Sequence, residues 1–160
     1  MLVDELLSCL EKTPVILKEM VDSIPREPSW RLTERRIEGK WSIHEHACHI
    51  VKVQPMLTAR AKKFIEEDAP EFEPYFPGKS TSPDELLKMD LAENLAKFPE
   101  LRKEFIDVIR SAPADAWKKK AEHPQYLEYT LYIMLRHVLL HDNVHMYRME
   151  ELWLDRQMKK

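Results

Sequence analysis

Residues 129–154 read YTLYIMLRHVLLHDNVHMYRMEELWL, and this stretch decides the fold. Leu131, Met134, Leu135, Val138, Leu139, Asp142, His145, Met149 and Trp153 recur at steps of three and four. That is the period of one face of an α-helix. The stretch therefore predicts a long amphipathic helix from about Tyr129 to Leu154. Its apolar stripe needs partner helices to cover it, and two polar residues, Asp142 and His145, lie within that stripe.

Working outward, three further stretches share the same period. Leu2, Leu6, Leu10, Ile16, Leu17, Met20 and Ile24 mark a helix over roughly residues 2–24, with Pro14 as a kink or break. Ser42-Ile43-His44-Glu45 is a capping box that opens a second helix, whose apolar face runs Ile43, Ile50, Val53, Leu57, Ala61 and Phe64. Pro55 should bend that helix. A third helix is expected from a Ser82 cap with Pro83 at its first position to about Ser111, with Pro99 inside it. Residues 25–40, 68–79 and 113–127 read as connections, the last with a short turn around Asp115-Ala116-Trp117. No strand is evident. The expectation is an all-α protein, a four-helix bundle with long connections, forming a single domain over residues 1–160.

Composition agrees. The chain has 160 residues, 44% of them hydrophobic and 33% charged, a globular balance. Two glycines are too few for the turns and phosphate loops of an all-β or Rossmann-type protein. The net charge is −3 and no lasting basic block occurs, which argues against a nucleic-acid partner. Lys118-Lys119-Lys120 reads as a solvated surface patch. No apolar run reaches membrane-span length and the first residues lack a secretion signal, so no membrane partner and a cytoplasmic location are expected. Cys9 and Cys48 are then expected as reduced thiols.

Seven histidines are present, and six fall in two windows, 44–49 and 137–145. His141 and His145 are four residues apart and stack one helical turn above the other, a spacing that can grip one metal ion from a single helix. A third histidine from a facing helix would complete a three-histidine set with open positions, as in catalytic zinc sites. By helical phase His145 falls near the middle of the stripe, His141 at its edge and His137 further out. Asp142 is near the centre. A carboxylate there must be paired, either by holding a histidine Nδ1–H and so orienting a ligand, or by bridging to an arginine such as Arg102. Phase leaves the third ligand open between His46 and His49, and places His46 nearer the stripe centre. His44 is expected near the exposed helix start, and His123, beside Pro124, in a loop. The competing reading of spacing alone is a set of core histidines, or a surface coincidence, with no metal.

Gly39-Lys40-Trp41-Ser42-Ile43-His44-Glu45-His46-Ala47-Cys48-His49-Ile50 resembles the WS-x-x-E-h-x-x-H-L signature of the DinB-like (YfiT-related) superfamily. His141-Asp142-Asn143-Val144-His145 resembles the late HxxxH of the same family. The element order matches over nearly the whole chain. The resemblance implies that His49, not His46, joins His141 and His145 as metal ligand. It further implies a four-helix bundle of non-sequential helix order, a divalent metal such as zinc or nickel, and a homodimer. Family members continue the last motif with a further His and Arg-x-Gln. Here Met146-Tyr147-Arg148-Met149-Glu150 stands instead, so the role tied to that glutamine does not carry over.

Characterised members include thiol S-transferases that join low-molecular-weight thiols to electrophiles. A three-histidine metal would lower the pKa of water or a thiol, which supports a metal-dependent hydrolase or thiol transferase acting on a small-molecule substrate. No catalytic side chain is singled out. The alternative is a non-catalytic, dimeric, stress-related binding module whose metal site is vestigial or structural. Phe72, Tyr75 and Phe76 could cover a ligand, but simple packing on the bundle is the preferred expectation. Cys48 reads as a small core residue.

Overall fold

The computed structural model describes residues 2–75, 82 and 84–154, without the side chains of residues 29 and 30. Five α-helices make up the bundle: α1 (Val3–Ser23), α2 (Ile43–Lys52), α3 (Gln54–Glu66), α4 (Leu91–Ser111) and α5 (Leu131–Leu154). Single 3₁₀ turns punctuate the connections at Ser29–Leu32, Leu86–Lys88 and Ala116–Lys118. Among the described residues there is no strand, only isolated bridges such as Glu71 with Glu122.

The expected second helix bends at Pro55 and divides at Val53, which keeps helical dihedrals and whose N–H still donates to the His49 carbonyl at 3.1 Å. Pro55 has no N–H to donate and its ring crowds the preceding turn. The backbone turns at Val53, and the Gln54 side-chain Nε2 donates to the Ile50 carbonyl at 2.7 Å. Both halves pack on α4 and α5, so α2 and α3 together fill one position of a four-helix bundle. α1 packs on α4 and α5 as well. Helices consecutive in the chain, α1 with α2 and α4 with α5, therefore sit mainly across the diagonals, and the bundle order is non-sequential.

The third helix starts later than its sequence suggests. Asp84 takes a left-handed φ of 61°, which interrupts helical geometry soon after Ser82. Asp90 caps α4 instead, its side chain accepting the Glu93 N–H at 2.9 Å. Pro83 lies outside the described residues, as do Phe76 and the rest of residues 76–81. The last helix begins at Leu131, two residues after the expected start, with Thr130 Oγ1 accepting from the Ile133 N–H.

The core falls into two apolar clusters stacked along the bundle. One gathers Leu7, Leu10, Phe64, Phe105, Ile109, Met134 and Leu135. The other gathers Leu17, Val21, Ile43, Ile50, Phe98, Met146 and Met149. Arg102 on α4 and Asp142 on α5 are both fully buried polar residues that belong to neither cluster. No helix among the described residues is long and apolar enough to cross a membrane.

Candidate metal centre

The site starts with the capping box. Ser42 Oγ accepts the Glu45 N–H at 3.3 Å, and Glu45 Oε2 accepts the Ser42 N–H at 2.9 Å. Arg35 closes on the same buried carboxylate with Nε and Nη2, and also pairs with Asp84 at 2.8 Å. Burial would raise Glu45, but the bonds from Arg35 and Ser42 outweigh it and hold the carboxyl below its ordinary range. The start of α2 is thus pinned, and Trp41, one residue before the cap, packs edge-on against His46 with centroids 5.6 Å apart. This is the N′-to-N4 contact that sets the angle at which a chain enters a helix.

From that anchored start, α2 presents His49 to α5. His49 Nε2 lies 3.0 Å from His141 Nε2. His49, His141 and His145 each offer one ring nitrogen, and these atoms all lie within 4.8 Å of one another. The expected trio therefore converges from two helices. Trp41 covers it, stacked on His145 at 5.8 Å and tilted over His49 at 4.7 Å.

The outer nitrogens of two of these rings are engaged. His141 Nδ1 sits 3.3 Å from Asp142 Oδ1, while Arg102 Nη2 donates to Asp142 Oδ2 at 2.6 Å. The two roles considered for Asp142 are both filled, one by each oxygen. His145 Nδ1 lies 2.8 Å from His46 Nδ1. His46 thus touches His145 and is not one of the converging trio; the sequence did not reveal this partnership, because it joins two helices. With the proton on Nδ1 of His141 and on Nδ1 of His145, Nε2 of each ring keeps its lone pair.

Burial first, and the neighbouring imidazoles second, push His49 down to about 3 and His145 down to about 2. Burial likewise takes His46 to about 4. Uncharged imidazoles are the form that ligates. His49 Nδ1 is buried with no hydrogen-bond partner among the described residues. The donor set is thus three imidazole nitrogens facing one another, with the rings of His141 and His145 each held by a further contact at Nδ1. It suits a divalent cation such as zinc, and imidazole suits nickel equally.

One other histidine departs from its expected place. His44 is buried, not exposed, because its Nε2 meets the Leu86 carbonyl at 3.1 Å where the turn before α4 folds over α2. His123 lies in a loop as expected, with its ring tilted against Tyr129 at 4.4 Å between centroids and lining a cavity. That cavity, about 430 Å³, runs from His49, His141 and His145 to Arg60, His123, Tyr126 and His137. Its volume falls in the range of small-molecule sites. Tyr75 lines it, whereas Phe72 is buried in the core against Phe64 and Tyr129, as packing predicts. The cavity had no local signal, since its walls come from α2, α3, α5 and two loops. Cys48 is buried and its thiol is pushed up to about 12 by burial, consistent with a core residue.

Among solved structures, YfiT from Bacillus subtilis, a probable metal-dependent hydrolase with an unusual four-helix bundle topology, matches with a TM-score of 0.83. The match spans 98% of this chain and 87% of that one at 22% identity, which speaks to the fold. A search of curated protein sequences finds no match. Residues 10–149 match the family model of the DinB superfamily, and with that coverage the chain belongs to the DinB superfamily.

Proposed function

We propose that this chain is a metal-dependent enzyme acting on small molecules, with His49, His141 and His145 holding one divalent cation. The observation that supports it is the convergence of three imidazoles beside a cavity of about 430 Å³. A bound divalent cation supplies Lewis acidity there, turning water or a thiol into a nucleophile near neutral pH. The residues around it do the positioning. Asp142 and His46 hold the rings of His141 and His145, and Trp41 shields the trio from one side. Leu57, Val138 and Val144 offer apolar walls on which a substrate can rest next to the histidines.

Hydrolysis is the first reading, and the description of YfiT as a probable metal-dependent hydrolase supports it. Thiol transfer to an electrophile is the second. It is favoured by the absence of any Asp or Glu among the described cavity-lining residues, because an acidified thiol needs no separate general base.

Metal content measured on protein purified without a histidine tag tests the reading. About one zinc or nickel per chain is expected, with loss in His49→Ala and His141→Ala. Unchanged stoichiometric binding in those variants overturns the assignment. Activity is then screened on an ester panel and on a chromogenic electrophile with added thiols. Turnover abolished by a chelator and restored by metal is expected. No turnover on either panel leaves a metal-holding binding module.

A further inference from the structure

The cavity has a second chemical end, away from the histidine trio. Arg60 on α3 lines it together with His123, Tyr126, Tyr129 and His137. The guanidinium is held in place. Its Nη2 donates to the Glu73 carbonyl at 2.6 Å, and its central carbon lies 5.2 Å from the Phe72 ring centroid. The rings around it brace one another: His123 is 4.4 Å from Tyr129, and Tyr126 is 4.9 Å from His137. Among the described residues no acidic side chain lines the cavity and no carboxylate pairs with Arg60. A positioned cation in a mainly apolar cavity, without a counter-charge, recruits an anion from solution.

We propose that the cavity binds a small organic carboxylate, its anionic group on Arg60 and its apolar body along Leu57 and Val138 toward the histidine trio. This deepens the enzymatic reading, and rests on it only for the idea that the far end of the ligand reacts. The planar guanidinium fork matches a carboxylate. Burial lowers His123 and His137 from their ordinary values, with Arg60 adding to the effect on His123. Both shifts favour the neutral imidazole, and Arg60 is the fixed cation of that end. One positive charge balances a monoanion better than a phosphate dianion.

The test uses the full chain, metal-free after chelator treatment, with binding read by calorimetry. The probes are phenylacetate, its neutral isostere phenylacetamide, and benzylphosphonate. Phenylacetate is expected to bind at least tenfold more tightly than the amide. Arg60→Gln should erase that preference, chiefly by weakening phenylacetate, and Arg60→Lys should keep part of it. Equal binding of acid and amide, no binding of phenylacetate, a preference that survives Arg60→Gln, or tighter binding of the phosphonate each overturns the proposal. Should Arg60→Gln fail to fold, the acid–amide comparison on the parent chain decides alone. Because no metal is present, a negative result leaves the metal-content assay untouched, and failure of that assay leaves this one standing.

Discussion

Arg102 on α4 donates to Asp142 on α5 at 2.6 Å, and each side chain is only 1% exposed. The guanidinium lies between two rings, 5.1 Å from the Phe98 centroid and 5.8 Å from that of Phe105. Asp142 in turn reaches His141 with its other oxygen. A buried charge pair of this kind contributes little net stability, yet it couples the bundle core to the candidate centre. Its geometry sets the ring orientation of a ligand on the neighbouring residue.

Removing one member leaves the other charged and buried. Asp142→Ala is expected to cost about 3–5 kcal/mol of stability, read from urea unfolding. The double change Arg102→Met with Asp142→Leu removes both charges and should restore most of that loss. Metal affinity should still fall roughly 10–100-fold in the double variant, because His141 Nδ1 has lost its acceptor. Recovery of stability together with parental affinity would show that Asp142 does not orient His141.

His46 contacts His145 without joining the trio. His46→Ala is expected to weaken metal binding by about 10–100-fold while keeping the stoichiometry. Competition against a chromophoric chelator measures it. Loss of the ion altogether would make His46 a ligand.

A metal held only by the folded chain stabilises it by mass action. At about 100 times its dissociation constant the cation should add about 2.7 kcal/mol, which for a chain of this size raises Tm by roughly 5–10 °C. Scanning fluorimetry with zinc and nickel checks this. The shift should vanish in His141→Ala.

Glu45 offers a pH signature of the anchored α2 start. Its folded-state pKa is depressed, with burial opposing and Arg35 and Ser42 prevailing. Its contribution is therefore present in full above the unfolded value of about 4.3 and is lost as pH falls below it. Glu45→Gln keeps the shape and removes the charge, and should cost about 1–3 kcal/mol at pH 7. The gap between parent and variant in urea midpoints should be flat from pH 7 to about 5 and shrink below about 4.3. A gap that does not narrow in acid would refute the ion pair with Arg35.

The comparison of sequence with structure is most instructive on α2 and α5. The Ser42–Glu45 box was legible because a cap is satisfied within four residues. The His141–His145 pair was legible because helical geometry alone places such residues on one face, and the burial of Asp142 followed from its phase. Phase left the third member of the trio open between His46 and His49, and it was the resemblance carried by residues 39–50 that implied His49. Phase could not choose for a physical reason: it says which face a residue is on, not which facing side chain it meets. The start of α4 was misplaced because Ser82 and Asp90 are both competent caps, and the left-handed turn at Asp84 chose between them.

By itself the sequence determined the helices, the diad on α5 and the polar intrusion at Asp142, since each rests on contacts between residues close in the chain. The resemblance of residues 39–50 implied His49 as the third member, but only the tertiary structure brought its ring beside those of His141 and His145, set His46 behind His145, and gave Arg60 a cavity shared with the histidines. Those relations depend on how far α2, α3 and α5 approach one another, and that spacing is set by packing summed over the whole core rather than by any local run of residues.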